Sequence, residues 1–270
     1  MPISPLDPNA PPGSASFVTL PGFPVHHAFS TRLTGVSRAP FDSLDLSLAP
    51  VGSPRAEEIS ENARRLAGAI GISPEQIAAV SQVHGTRIIR VEKSMLTGSG
   101  ILAPIAEADG MVTAERGIAL SIRTADCVPV LIASVSPDRP AIAAVHAGWR
   151  GTIGLIAPKA VEILCRDFGL STEDLTAAIG PAIGRCCYEV SRELADDFIQ
   201  KFGSGCADLT DAVHPHLNLK AANRTALIRA GLSPEKIHVS EHCTSCESGL
   251  FFSHRRDRGQ TGRQMSLIWM

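Results

Sequence analysis

Three short segments each place one soft metal ligand at the end of an apolar run. They are Gln82-Val83-His84-Gly85, Thr124-Ala125-Asp126-Cys127 and Val145-His146-Ala147-Gly148-Trp149-Arg150-Gly151. Two imidazoles and a thiolate suit a borderline-soft divalent ion such as zinc. Three protein ligands leave a fourth tetrahedral position open, and an open position is the mark of a catalytic metal, not a scaffolding one. A lone histidine or a lone free cysteine is more often a packed core residue. The trio, each member beside a small or turn-forming residue, favours metal binding.

Other residues could support such a centre. A zinc ion carrying one thiolate keeps residual positive charge, which attracts an anion such as phosphate and polarises a bound oxygen. Arg32, after a predicted strand, is the candidate phosphate or substrate clamp, because a guanidinium matches an oxyanion bidentately, with an ordinary surface salt bridge as the equal alternative. Arg150 either contacts phosphate or buttresses the His146 loop, with buttressing favoured. Asp109 and Asp126 are placed to orient a ligand imidazole, as carboxylates do behind zinc ligands, or to serve as turn caps. Late in the chain Cys243-Thr244-Ser245-Cys246 and His254 suggest a second zinc, but the set falls short of the four ligands of a structural site. Cys186-Cys187 reads as buried packing, and His214-Pro215-His216 as loop and cap.

The elements that must position these residues follow from periodicity. Ile59, Ala63, Leu66 and Ile70 recur at helical spacing from Glu57 to Ile70, stopped by Gly71. A second helix is predicted from Thr152 to Phe168, ended by Gly169, with further helices from Ser191 to Phe202 and from Leu219 to Ala230. Strands are predicted at 77–92, 111–113, 118–123, 128–135, 141–146, 175–179, 236–240 and 263–269. Strands and helices do not alternate strictly, so the expected class is α+β, a single domain with mixed β-sheets flanked by helices. The connectors Gly71-Ile72-Ser73-Pro74-Glu75 and Gly231-Leu232-Ser233-Pro234-Glu235 echo each other.

Composition bounds the function. The 270 residues are 44% hydrophobic with a formal net charge of −2, enough for a full core and without the basic excess of a nucleic-acid binder. No apolar run reaches membrane-spanning length and Met1 to Ser16 lack the pattern of a signal peptide, so a soluble, cytoplasmic protein is expected. The odd count of seven cysteines fits reduced thiols in that compartment. The Pro-rich opening makes residues 1–16 a flexible arm, with one catalytic domain over 17–270.

Several phrases in order carry a resemblance: Phe29-Ser30-Thr31-Arg32, Gly35-Val36-Ser37, Ser81 to Gly85, Ala108-Asp109-Gly110, Thr124 to Cys127, Ala144 to Gly151, Ile179-Gly180-Pro181 and Phe251 to Asp257. From about Phe23 to the end the chain resembles the purine nucleoside phosphorylase family once labelled polyphenol oxidase or laccase-domain proteins, also called YfiH-like. The resemblance implies a single α/β domain and a zinc held by His84, Cys127 and His146. It also implies phosphorolysis of adenosine, inosine and methylthioadenosine, together with adenosine deamination at the same metal. His254 departs from the family pattern, where tyrosine is common. Purine nucleosides and phosphate are then the expected small-molecule partners, with no nucleic acid and no membrane; oligomeric state is not readable. Other classes remain in view. A copper oxidase fits the old label and copper outranks zinc in intrinsic affinity, but nine histidines with one His-x-His pair fall short of a laccase's copper centres. A cysteine hydrolase would use Cys127 with His146 as base, and a metal-stabilised binding module would need no turnover.

Overall fold

Long runs such as Val128–Ser134 and Ile142–Ala147 are buried at every position, so both faces of these strands need cover. A computed structural model describes residues 15–49, 52–96, 101–211 and 213–270 and shows how that cover is provided. In chain order the elements are β1 (Phe17–Val18), β2 (His27–Ser30), α1 (Pro54–Ile70), β3 (Ile77–Ser81), β4 (Ile88–Arg90), β5 (Pro104–Glu107), β6 (Gly110–Thr113), β7 (Ala119–Thr124), β8 (Val128–Ser134) and β9 (Ile142–Ala147). There follow α2 (Trp149–Ile153), α3 (Ile156–Phe168), β10 (Leu175–Ile179), α4 (Arg192–Phe202), β11 (Ala207–Asp208), β12 (His216–Leu217), α5 (Leu219–Arg229), β13 (Ile237–Val239) and β14 (Gln264–Trp269).

Two six-stranded sheets result, ordered β1-β2-β14-β7-β3-β5 and β13-β10-β8-β9-β6-β4. Both are mixed: β7 pairs antiparallel with β14 but parallel with β3, and β10 pairs antiparallel with β8 but parallel with β13. Alternation along each strand divides the core into layers. Leu120, Ile122, Leu131, Ala133, Ile142 and Ala144 meet in a cluster between the sheets. Val130, Ile132, Ala143 and Val145 point the other way and pack with residues of α3, α4 and α5. Ile77, Ala119, Met265 and Leu267 form the outer face of the first sheet, covered by Ile59, Ala63, Leu66 and Ala67 of α1. The order is helix, sheet, sheet, helices, an α+β domain. Among the described residues no helix is long and apolar enough to cross a membrane.

The helix signals hold well. Ser53 caps α1 by accepting from Ala56 N–H at 3.2 Å, and Gly71 closes it in the left-handed region at φ 74°. Ser191 and Asn218 cap α4 and α5. Two expectations are corrected. The strand predicted over 77–92 is two strands, because the chain turns at His84, whose φ is +60°. The helix predicted over Thr152–Phe168 is broken at Gly154-Leu155, with Leu155 left-handed at φ 60°. The break allows α2 to start immediately after the His146 strand while α3 lies along the sheet. The echoed connectors behave alike, each a short 3-10 turn leading into a strand, β3 or β13. Of the arm expected over 1–16, residues 1–14 lie outside the described residues, whereas Ala15 and Ser16 are buried and Ser16 accepts from Thr31 N–H at 2.9 Å.

Candidate metal centre and substrate cleft

Three strand ends converge. His84 follows β3, Cys127 sits in the turn between β7 and β8, and His146 is the penultimate residue of β9. Their ligand atoms all lie within 4.8 Å of one another, and the two imidazole rings meet edge to face at 4.8 Å. His146 is buried, Cys127 half-buried and His84 exposed, so the set opens on one side.

Asp109, fully buried just before β6, organises two of the three. Its Oδ1 lies 2.8 Å from His146 Nδ1 and accepts from His84 N–H at 2.9 Å. Its Oδ2 accepts from Gly85 N–H at 2.6 Å and Val83 N–H at 3.2 Å. With Nδ1 engaged, His146 is left its Nε2 to offer to an ion, the arrangement that fixes metal-ligating imidazoles. Burial raises the Asp109 carboxyl, but the His146 contact and the backbone donors outweigh it and keep the pKa below the usual value. Asp126 does something else. At φ 93° it accepts from Thr244 Oγ1 at 2.7 Å and from Arg255 N–H at 2.7 Å, tying the Cys127 turn to the C-terminal loops.

Small residues allow the approach. A Cβ on Gly148, the N-cap of α2, would lie 2.9 Å from Cys127 Sγ, and one on Gly110 would lie 2.8 Å from both Ile88 and Val145 side chains. Without an ion the three side chains polarise one another. Burial pushes the Cys127 thiol up, but the positive His146 and hydrogen bonds with His146 and His84 pull it down to about 6. The same thiolate and Asp109 overcome burial and lift His146 to about 9. A thiolate beside two imidazoles is the donor chemistry zinc takes, and the residues present fit that ion.

The trio floors a cleft of about 800 Å³. Arg55, Arg123, Arg150, Arg255 and Arg263 line it against Asp126, together with Phe41, Trp149, Tyr188 and His254. Arg123 is the most confined guanidinium, with one amino group 2.5 Å from Val80 O and the other, Nη1, buried with no hydrogen-bond partner among the described residues. Its pKa falls to about 10 through burial, so it stays charged at neutral pH. Arg55 is already paired with buried Asp45 at 2.9 Å. Tyr188 is pushed up to about 12 by burial and the Cys127 thiolate, so its hydroxyl keeps its proton.

Arg32 is not among the residues lining this cleft. Its guanidinium donates to Asp42 O at 2.8 Å and Ser248 O at 3.1 Å, pairs with the Asp42 carboxylate at 3.3 Å and packs over Phe252. The backbone turn around Asp42 occupies these donors, and the structure does not bring Arg32 together with the trio. Arg150 stacks on Trp149 at 4.3 Å and faces the cleft, where buttressing had been favoured. Cys186 and Cys187 are exposed and half-buried, not core packing. Arg123, Arg255, Arg263 and Tyr188 were not anticipated. The one available signal was Arg123 itself, a charge at the end of the apolar run 118–123, directly before the Cys127 phrase.

Comparison with known proteins places this geometry in context. A family model described as "Multi-copper polyphenol oxidoreductase laccase" matches residues 26–270. The chain is 40% identical over 245 residues to "Purine nucleoside phosphorylase YlmD" of Geobacillus stearothermophilus, covering 88% of each chain. It is 37% identical over 260 residues to "Purine nucleoside phosphorylase" of Deinococcus radiodurans, covering 93% of this chain and 94% of that one. The crystal structure of YlmD from Geobacillus stearothermophilus superposes with a TM-score of 0.84 at 39% identity, over 92% of this chain and 93% of that one.

Proposed function

Because this chain belongs to the family described as multi-copper polyphenol oxidoreductase laccase, we propose that it is a zinc-dependent purine nucleoside phosphorylase. The names of its relatives support a phosphorylase-like activity. The finer reading is cleavage of adenosine, inosine and methylthioadenosine by phosphate, with adenosine deamination as a second activity of the same cleft. The observation that carries it is the one cleft that His84, Cys127 and His146 share with several guanidiniums and the aromatic side chains of Phe41, Trp149 and Tyr188.

His84, Cys127 and His146 would hold the zinc, which when bound supplies a Lewis acid for an oxygen of the substrate. Arg123 and Arg263 bind the phosphate: a phosphate oxygen would satisfy the buried Nη1 of Arg123 with a charge-assisted hydrogen bond. Arg150 and Arg255 also line the cleft and add positive charge to it. Trp149 and Tyr188 offer flat apolar faces to the purine, and the Tyr188 hydroxyl presents a proton donor. In the reaction a phosphate oxygen bonds to the anomeric carbon while the glycosidic C–N bond breaks and its electron pair leaves on the base. A proton delivered to the base completes the balance.

One observation favours a second reading. Asp109, His146 and Cys127 form a chain of contacts like that of a cysteine hydrolase, with the thiol pulled down to about 6. A copper oxidase is less well supported by the donors. Among the described residues the candidate metal clusters are this trio and a group of four cysteines, with only two imidazoles between them. Chromatography of adenosine incubated with zinc-loaded protein decides among them. Adenine release only with phosphate supports phosphorolysis; equal release without it points to hydrolysis, and no release in either removes the proposed activity.

A further inference from the structure

Outside the cleft, the Sγ atoms of Cys186, Cys187, Cys243 and Cys246 all lie within 4.8 Å of one another. Cys246 Sγ is 3.4 Å from Cys186 Sγ and 3.3 Å from Cys187 Sγ. The four come from two stretches of chain, one after β10 and one after β13, joined by the parallel bridge between Ala182 and Cys243. Zinc–sulfur bonds of about 2.3 Å in a tetrahedron set the sulfurs about 3.8 Å apart. The two shortest sulfur–sulfur distances fall a few tenths of an ångström below that value, and all four sulfurs lie within 4.8 Å.

We propose that Cys186, Cys187, Cys243 and Cys246 form a second, closed metal site that binds zinc through four thiolates. Sequence proximity pairs Cys243 with Cys246 and leaves two ligands missing; the fold supplies them from Cys186-Cys187. Two further observations point to an ion there. Backbone N–H groups are aimed at a sulfur: Gly184 N–H donates to Cys243 Sγ at 3.1 Å, and the Cys246 backbone donates to the same sulfur. Such donors stabilise a thiolate and accompany metal-bound sulfur in preference to a neutral thiol. The second is charge. Four thiolates around a divalent cation carry a net −2, and buried Lys220, anchored by its Nζ to Ser240 O at 2.7 Å and His242 O at 2.9 Å, interacts electrostatically with Cys243 and Cys186 as well as with Glu241 and Glu247.

The site would staple one wall of the cleft. Tyr188 follows Cys187 directly, and Thr244, inside the Cys243–Cys246 turn, holds Asp126 beside Cys127. Metal binding releases the protons of the thiols it ligates and adds its free energy to folding. This inference does not rest on the phosphorylase reading, since it uses none of that reading's ligands.

The test counts zinc. Full-length protein purified under reductant, titrated with zinc and desalted, is expected to carry two ions per chain by elemental analysis. The Cys186→Ser/Cys246→Ser protein should carry one, retained in the cleft. His84→Ala should also carry one, retained by the cysteines. Cys186 and Cys246 are exposed, so these serines remove no core packing. As a check that needs no variant, cobalt(II) loaded into the wild-type chain should give thiolate-to-metal charge-transfer absorption with the intensity of more than one thiolate. An ion count in the wild type no higher than in the double variant, loss of all zinc in His84→Ala, a cobalt spectrum of a single thiolate, or a disulfide among the four cysteines in freshly reduced protein would each overturn the proposal.

Discussion

The Oδ1 atom of Asp109 lies 2.8 Å from His146 Nδ1, and the same buried carboxylate accepts from the backbone N–H groups of Val83, His84 and Gly85. One side chain thereby sets the tautomer of one candidate ligand and the backbone position of another. His84 holds a φ of +60°, uncommon for a residue with a side chain. Three N–H donors converging on one carboxylate account for its stability there. The geometry of the trio is held from behind, so Asp109 is a positioning residue.

Asp109→Asn therefore tests the centre without removing a ligand. The amide keeps one oxygen but loses charge and turns an N–H₂ group toward donors. Zinc affinity is expected to fall about 10- to 100-fold, and stability by about 1–3 kcal/mol through the unsatisfied buried groups. Competition with a chelator of known affinity measures the first and thermal unfolding of the zinc-free protein the second. Wild-type affinity in this variant would show that the carboxylate serves only the turn.

Gly148→Ala separates space from charge. The backbone at Gly148, φ −65°, suits alanine, but the new Cβ would stand 2.9 Å from Cys127 Sγ. The sulfur must shift, while the rest of the fold has no reason to. Expected are an unfolding temperature within a few degrees of wild type and zinc retention reduced at least tenfold. Normal zinc content would mean that Cys127 is not a ligand.

The His/Cys/His set was legible because each ligand ends an apolar run beside a residue that marks a turn, and those signals are local. The class of fold was legible too, from strands and helices that fail to alternate. What the sequence hid is long-range. Leu131 and Ile132 look alike in a run, yet one packs between the sheets and the other against helices, so the layer order is not written in periodicity. Arg255 and Arg263 reach the cleft from the last part of the chain, and Cys186-Cys187 meets Cys246 only after folding. Arg32 was ambiguous for the same reason: a guanidinium after a strand is equally suited to an anion and to the carbonyls that surround it here.

Without metal, the pair Cys127 and His146 should betray its coupling in its pH dependence. Cys127 is lowered to about 6 and His146 raised to about 9. For the cysteine, whose folded pKa is depressed, the stabilising charge is lost as pH falls through about 6. For the histidine, whose folded pKa is raised, it is lost as pH rises through about 9. The ion pair spans the window between. Site-resolved alkylation of chelator-treated protein should show Cys127 modification half-maximal near pH 6, well below the ordinary thiol range. A midpoint above pH 8 would contradict the coupling.

Arg123 and Arg32 make opposite predictions. Arg123 lines the cleft, and its Nη1 is buried with no hydrogen-bond partner among the described residues; on the proposed reading a bound phosphate supplies that partner. A hydrogen bond between charged partners is worth about 1.5–3 kcal/mol, so Arg123→Met should raise the KM for phosphate about 10- to 100-fold and the KM for nucleoside much less. Arg32, with its donors spent on Asp42 and Ser248, should behave in the reverse way. Arg32→Ala is expected to cost about 1–2 kcal/mol of stability, read as a lower unfolding temperature, and to leave the KM for phosphate within a factor of two. Steady-state kinetics at varied phosphate, run on both variants, gives the answer directly. A phosphate KM that rises in Arg32→Ala and stays flat in Arg123→Met would reverse the assignment and move the anion site out of this cleft.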